Sequence, residues 1–127
     1  MSQYDDSGYK AFKAAGAITI YDRVKLSAAD TVDVAGLAEK EIGTAQNAAF
    51  AAGDLVNVKL RTAPGTHKMR CKEALAVGAT VYTEAAGEIQ DTAQPTAYII
   101  GIALEAATAE DDIVEVLYNA HGDTAAT

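Results

Sequence analysis

The sequence predicts an all-β fold, a small barrel or sandwich built from two similar hairpin units with at most short helical turns. Short runs rich in β-branched residues alternate with turns rich in Gly, Asp and Ala, as in barrels and sandwiches. Residues 55–61 alternate between apolar and polar side chains, as a half-buried strand does. No segment supports a long helix, and only residues 35–40 and 103–108 carry enough helix-forming residues for single turns.

Three segments follow along the chain. Residues 17–118 form the predicted β domain, with candidate strands at 17–21, 23–26, 55–61, 67–72, 80–82, 98–103 and 113–118. In the second of these strands, Val24 and Leu26 are expected to face one way and Arg23 and Lys25 the other. Residues 119–127 are small and polar and predict a loose C-terminal tail.

Residues 1–16 predict an extended N-terminal arm. Tyr4, Tyr9 and Phe12 are scattered through it among polar residues, without a period of 2 or 3.6. A segment of this kind is either disordered on its own or held to a partner through its aromatic side chains.

An internal repeat is the most informative pattern. A shift of 58 positions aligns residues 42–60 with 100–118, and nine of the 19 pairs are identical. A shift of 57 also pairs Val24 with Val81 and Val32 with Ile89. Two hairpins that converged on similar turn chemistry would give some of these matches. The identities outside alanine favour one supersecondary unit used twice, with the apolar faces of the two copies closed against each other.

Charge and cysteine content exclude several classes of protein. The formal net charge of −8 opposes the approach of nucleic acid or an anionic membrane. Cys71 is the only cysteine, so no intramolecular disulfide or CxxC redox pair is possible, and alternation places its side chain inward as a small hydrophobe. The N-terminus has no signal-peptide pattern and no segment has the length of a membrane span, so we expect synthesis in the cytoplasm.

A search for chemistry-bearing motifs predicts no catalytic, metal or cofactor site. His67 and His121 lack a second ligand at metal-binding spacing and are expected to be exposed or at a sheet edge. Asp54 and Asp112 occupy the same place in the repeat and are expected to bond their own backbone in turns. There is no phosphate-binding glycine motif, and no serine lies in a nucleophile elbow. The chain is therefore not expected to be an enzyme.

A local run of positive charge stands out from the acidic background. Residues 55–72 contain no acid, and their cations are predicted to share the outward face of one hairpin: Lys59, Arg61, Lys68, Arg70 and Lys72. Such cations protect an edge strand against unwanted pairing, or they dock on an acidic neighbour such as another copy of the chain. Nucleic acid is the poorer partner, because no aromatic side chain for base stacking lies among them.

Four motifs resemble one family. Residues 77–82 (VGATVY), 87–89 (GEI), 100–107 (IGIALEAA) and 112–116 (DIVEV) resemble the C-terminal half of bacteriophage capsid cement, or head decoration, proteins. The resemblance extends from about residue 42 onwards. It implies a small barrel-like subunit, often a homotrimer, on the outer capsid surface of the virion. The role it implies is to clamp neighbouring major capsid proteins together.

Under this resemblance the expected protein contacts are the aromatic residues of the arm, Tyr4, Tyr9 and Phe12, and the five cations of residues 55–72. The alternative is a non-catalytic surface- or carbohydrate-binding β module of a virion or cell envelope. That module would need Tyr82, Tyr98 and Tyr118 exposed on one sheet face. A hydrolase would need a catalytic triad that the sequence does not reveal.

Overall fold

The computed structural model describes residues 7–118 and the backbone of residues 124–125. Its strands are β1 (Tyr9–Ala14), β2 (Arg23–Ala28), β3 (Thr31–Val34), β4 (Gly43–Ala45), β5 (Leu55–Leu60), β6 (His67–Arg70), β7 (Thr80–Thr83), β8 (Ile89–Gln90), β9 (Tyr98–Ala103), β10 (Ile113–Tyr118) and β11 (Thr124–Ala125). The all-β prediction is confirmed. Within these residues the one helical segment is a 3₁₀ turn at Ala85–Gly87, and no turn of helix forms at 35–40 or 103–108. No helix in this part of the chain is long and apolar enough to cross a membrane.

The strands form a closed barrel and a second, barrel-like sheet with the same neighbour order, called the first and the second barrel below. In the first barrel (residues 9–60) the sheet runs β1-β3-β2-β4-β5 and closes on itself. In the second barrel (residues 66–118) the order is β6-β10-β9-β7-β8, and one parallel bridge between Cys71, the residue after β6, and Ile89 of β8 brings the two ends of this sheet together. Read around the ring, each strand of the second barrel has the same neighbours as its counterpart in the first.

The strand registers show that the repeat is a structural duplication. Gly43 lies opposite Leu60 in the first barrel, and Gly101 lies opposite Tyr118 in the second, 58 positions later. On their other edges, β5 pairs with β1 and β10 pairs with β6. Phe12 lies opposite Val56 in the first barrel, and Met69 lies opposite Val114 in the second. Phe12 and Met69 are 57 positions apart, and Val56 and Val114 are 58 positions apart. The predicted pair of similar units is thus confirmed, although each unit is larger than a hairpin.

Each barrel has its own hydrophobic core, so the two units do not close their apolar faces against each other as the sequence analysis expected. Nine positions of the cores correspond: Phe12, Ala14, Ile18, Val24, Val32, Ala45, Ala49, Val56 and Val58 in the first, and Met69, Cys71, Leu75, Val81, Ile89, Ala103, Ala107, Val114 and Val116 in the second. The second core also contains Ile100, whose counterpart Ile42 is partly buried and packs against the first core. A barrel has no open sheet face to cover, because its strands wrap around the side chains that fill it.

Two aspartates fix equivalent loops, as the sequence analysis predicted. Asp54 Oδ2 accepts hydrogen bonds from the backbone N–H groups of Phe50 (2.9 Å) and Ala51 (3.1 Å). Asp112 Oδ2 accepts the same pair from Thr108 and Ala109, 58 positions later, and these bonds, first of all that from Thr108, lower the pKa of Asp112. The loops before β5 and β10 therefore hold a defined shape.

The second half of the predicted arm belongs to the first barrel. Tyr9–Ala14 form β1, which pairs with β3 and β5, and the side chain of Phe12 is only 7% exposed in the core. The alternation of this strand is hidden in the sequence, because Lys10 and Ala14 occupy two of its inward positions. Tyr4 lies outside the described residues.

Two further segments differ from prediction. Residues 17–21 form a loop with a single bridge between Ile18 and Ala49, since the chain turns at once toward β2. At the other end of the chain, β11 pairs with β9, with Thr124 opposite Ile99, so part of the predicted loose tail joins the second sheet.

The Ile-Gly start of the repeated strand has a steric cause that can be tested. A Cβ atom added to Gly43 would lie 2.2 Å from the carbonyl oxygen of Lys59, which is backbone of the paired strand and cannot move aside. We expect Gly43→Ala to lower the free energy of unfolding by about 1–3 kcal/mol or more. Gly16→Ala is the matched control, because nothing lies within 4 Å of its added Cβ. Equal stability of both variants in urea denaturation would contradict this account.

Candidate docking surfaces

A buried arginine joins the two barrels. Arg23 is fully buried and donates from Nε to the carbonyl oxygen of Glu88 (3.0 Å) and from Nη2 to that of Glu84 (2.6 Å), both in the second barrel. Its Nη1 lies 3.1 Å from a carboxylate oxygen of Glu41 in the first barrel, also fully buried. Arg23 thus faces away from the core residue Val24, as the alternation predicted, and the second barrel covers this face of β2.

Arg70 makes the reciprocal contact from the second barrel. Its guanidinium binds Asp22 of the first barrel at 2.7 Å, and Glu88 and Asp111 of its own barrel at 2.9 and 2.8 Å. Burial raises the pKa of Asp22 against the opposing effect of Arg70, and burial also raises the pKa of Glu88. Arg70 thus forms ion pairs with three carboxylates at the junction.

The predicted stripe of cations does not form one face. Strand β5 pairs with β1 and β4 whereas β6 pairs with β10, so residues 55–72 are not a hairpin but the passage from one barrel to the next. Lys59 donates to the carbonyl oxygen of Thr66 (2.5 Å), and the guanidinium of Arg61 lies 4.8 Å from the ring centre of Tyr118. Together with Arg70, these side chains hold the barrels to each other.

The remaining predicted contact residues are accessible. Lys68 and Lys72 are exposed, and the Lys68 ammonium lies 5.8 Å from the ring centre of Tyr21 in the first barrel. Tyr9 is 39% exposed on β1. Contacts of these three residues with another protein stay a prediction, whereas the burial of Phe12 leaves little of its ring for a partner.

His67 and Cys71 are structural residues of the second barrel. His67 is 1% exposed, so the exposed position allowed for it in the sequence analysis is wrong, although its strand β6 stands at one end of the sheet order as the alternative edge position implies. Its Nε2 lies 2.9 Å from the carbonyl oxygen of Leu60, and burial lowers its pKa, which favours the neutral ring. Cys71 lies inward as predicted, and burial raises the pKa of its thiol to about 12. A thiol of that pKa is protonated at neutral pH and a poor nucleophile.

The cleft between the barrels is polar. It has a volume of about 360 Å³ and is lined by Tyr21, Gln46, Lys59, Thr66, Lys68, Glu105 and Glu115. This lining contains no histidine or cysteine, and its one bond between a hydroxyl and a carboxylate is that from Thr66 Oγ1 to Glu115. Within the part of the chain that the structure describes, no group of three or more histidine, cysteine or acidic side chains is placed to hold a metal ion.

The most exposed apolar side chains of the first barrel lie at its loop end. Phe50 is 85% exposed at the tip of the loop that Asp54 fixes, and Leu55 at the start of β5 is 67% exposed. Beside Phe50, residues 17–20 and 48–50 line an apolar groove of about 350 Å³, and Ile20 within it is 37% exposed. The sequence analysis missed this surface, because one phenylalanine in an alanine-rich loop has no periodicity to mark it.

The second barrel presents the corresponding loop end with smaller side chains. Val77 occupies the position of Ile20 and is 68% exposed, and Ile113 occupies that of Leu55 and is 38% exposed. Thr108 stands where the first barrel has Phe50. The molecule therefore carries two related apolar loop ends, of which the first has the only aromatic side chain.

The buried ion pair at the junction leads to a prediction. The second barrel has Thr80 and Ile99 at the positions of Arg23 and Glu41. We expect Arg23→Thr to lower the free energy of unfolding by about 3–5 kcal/mol, since it leaves a buried carboxylate without its main partner. The double variant with Glu41→Ile should recover part of this loss. Thermal and urea denaturation would measure both effects.

Lys25→Thr serves as the control for that series, because Lys25 is partly exposed and its pair with Glu39 is a surface ion pair. Its removal should cost less than about 1 kcal/mol. A loss for Arg23→Thr no larger than that of Lys25→Thr would show that the junction does not depend on the buried pair.

The carboxylates around Arg70 predict a pH dependence. The pKa of Asp22 is raised above its ordinary value of 3.8, so its contribution to stability is fully present below that pH and is lost as pH rises through the higher folded-state pKa. The stability of the wild type relative to Asp22→Asn should therefore fall as pH rises through this range. Urea denaturation at a series of pH values tests it. Glu88→Gln should show the same sign, and a relative stability that increases with pH would contradict the assignment.

Comparison with known proteins bears on the fold. No protein-family model matches the sequence, and no curated protein matches it significantly. Among solved structures, the N-terminal base of the head fiber protein gp8.5 of bacteriophage phi29 is similar, with a TM-score of 0.72 and 18% sequence identity. The match covers 87% of this chain and 92% of that one. The sequence motifs resemble those of phage head proteins, and the comparison of structures agrees, because this chain shares its fold with a protein of a phage head.

Proposed function

We propose that this chain is a non-catalytic structural protein of a phage virion. It binds the outer surface of an assembled head and stabilises contacts between major capsid proteins. The fold shared with a phage head fiber base and the motifs shared with head decoration proteins both support this. The observation that carries it is Phe50, an aromatic side chain left 85% exposed on a loop of defined shape.

A fixed, exposed phenylalanine has the properties of a binding anchor. Aromatic side chains contribute a large share of the energy of many interfaces when a pocket on the partner covers them. The two hydrogen bonds to Asp54 hold the loop before any partner arrives, so little conformational entropy remains to be lost on binding. Leu55 and the groove beside Phe50 extend the apolar area around this anchor.

The two loop ends suit a partner that repeats. A capsid shell offers many copies of one subunit, and a chain with two related loop ends can contact two neighbouring copies at once. The second contact is then intramolecular, which raises the overall affinity without a stronger individual site. Such bridging is the clamping role that the resemblance to decoration proteins implies.

Stabilisation of the shell follows from binding equilibrium. A ligand that binds only the assembled, expanded lattice stabilises it by about 2.7 kcal/mol per site at a hundredfold excess over Kd. Many occupied sites on one head would add these increments together.

The carbohydrate-binding alternative gains no support from the tyrosines it requires. The Lys40 ammonium lies 5.1 Å from the ring centre of Tyr98, and the Arg61 guanidinium lies over the ring of Tyr118. Tyr82, Tyr98 and Tyr118 are all half-buried. A sugar would need open ring faces, and two of these three rings already have a cation of the same chain over one face.

Co-sedimentation with empty, expanded heads built from the capsid protein encoded with this chain tests the proposal. The wild type should bind saturably and raise the melting temperature of the heads. Phe50→Ser should weaken binding by at least about 30-fold, as expected when a hot-spot aromatic worth ~2 kcal/mol is removed. Ala51→Ser, in the same exposed loop, should bind as the wild type does. Absence of co-sedimentation at micromolar protein, or unchanged binding of Phe50→Ser, would refute the proposal.

A further inference from the structure

The contact between the two barrels joins two different faces of one fold. The first barrel contributes the face that receives the second barrel, on β2, β4 and β5 and the segment that leads into β4, where Arg23 and Lys59 donate hydrogen bonds to the second barrel. It is called the acceptor face here because it receives the other barrel, whatever the direction of its hydrogen bonds. The second barrel contributes the face that is received, called the donor face, which includes Thr66, Thr83 and the 3₁₀ turn. Thr83 Oγ1 donates to the carbonyl oxygen of Leu37 at 2.5 Å, and Gly87 N–H donates to that of Ala35 at 2.9 Å. Because the barrels are duplicates, each also carries the face that it does not use here.

The unused acceptor face of the second barrel is a groove. It has a volume of about 290 Å³ and is lined by Thr80, Ile99, Gly101, Ile102, Leu117 and Tyr118. The corresponding residues of the first barrel are Arg23, Glu41, Gly43, Thr44, Lys59 and Leu60. Three of them, Arg23, Lys59 and Leu60, bond to the second barrel, so the groove occupies the place on the second barrel that the junction occupies on the first. Strand β11 pairs with β9 at the margin of the groove, beside Ile99.

The two acceptor faces differ in polarity in an unexpected direction. Thr44 is fully buried in the junction, whereas Ile102 at the equivalent position is 38% exposed. Leu117 is 45% exposed where the covered face has Lys59, and Leu104 next to Ile102 is 38% exposed. A face that met only water would be expected to be the more polar of the two. Adjoining exposed apolar residues of this kind mark an interaction surface.

The unused donor face of the first barrel shows the same change. Leu26 is 54% exposed at the position of Thr83, and Tyr9 is 39% exposed at the position of Thr66. Both threonines contact the first barrel: Thr83 through its hydroxyl group and Thr66 through its carbonyl oxygen, which accepts a hydrogen bond from Lys59. Within residues 7–118, each barrel therefore has one partly apolar face that lies outside the junction.

We propose that the groove of the second barrel binds the first barrel of another copy of this chain, in the way that the second barrel sits on the first within one copy. Leu117 of one copy meets Tyr9 of the next, as Lys59 meets Thr66 within one copy, and Leu26 takes the position from which Thr83 contacts the segment before β4. The contact joins two different faces, so it repeats from copy to copy and gives a closed ring or an open chain. The inference does not depend on binding to a phage head.

The repeat supplies variants that the fold already tolerates. Ile102→Thr with Leu117→Lys gives the groove two residues of the first barrel, and Leu26→Thr with Tyr9→Thr gives the donor face the two threonines of the second. Sedimentation velocity at micromolar to submillimolar concentration should show the wild type as species of more than two copies. Each double variant alone should sediment as one copy of 13.2 kDa, and circular dichroism should show both folded.

The decisive measurement is an equimolar mixture of the two double variants. Each retains the face that the other lacks, so the mixture should form a complex of one copy of each and nothing larger. A wild type that stays monomeric, or a mixture that does not associate, overturns the proposal. Self-association of the Leu26→Thr/Tyr9→Thr variant would also overturn it, because two grooves would then be contacting each other. Phe50→Ser should keep the wild-type assembly, which separates this result from failure of head binding.

Discussion

The arrangement of the whole molecule depends on the buried guanidinium of Arg23. A guanidinium carries five N–H donors in a fixed plane, and here they reach carbonyl oxygens of both barrels and the carboxylate of Glu41. A lysine ammonium has three donors on one atom and could not span these acceptors. Because the acceptors are backbone atoms of Ala35, Glu84 and Glu88, the geometry holds the second barrel in one orientation. This contact therefore fixes where the loop ends and the free faces of the two barrels lie relative to each other.

Duplication followed by divergence explains which surfaces are polar. The cores have kept their character from one barrel to the other, since Val24 and Val81, or Val58 and Val116, fill equivalent interior positions. The acceptor faces have changed in polarity: the first barrel has a buried threonine, Thr44, where the second has an exposed isoleucine, Ile102. Interior positions are constrained by the barrel alone, whereas each outer face is constrained by whatever it meets. Differences between equivalent surface positions are therefore the more informative about function.

Alternation and the repeat were sufficient to predict the fold class, because a barrel strand such as β5 sets its valines inward and its polar residues outward. The alternation and the repeat did not predict burial at positions on the outside of one barrel that the other barrel covers. Arg23 and His67 look like surface residues in the sequence, and nothing local reveals that another barrel covers them. The predicted cationic hairpin failed for a related reason, since Lys59 and Lys68 are close in sequence but belong to different sheets. Phe50 had no pattern to predict its exposure.

The chemistry of the two kinds of contact follows from the tether between the barrels. Residues 61–65 keep the second barrel close to the first, so the internal contact works at a high effective concentration and needs little affinity of its own. It uses buried ion pairs, which add little net stability but penalise wrong orientations strongly. A contact between separate copies has no tether and must offset the loss of translational and rotational freedom with apolar area. In the proposed assembly the exposed Leu26, Ile102 and Leu117 supply that area, while Arg23 and Glu41 occupy the internal face, where orientation is the main requirement.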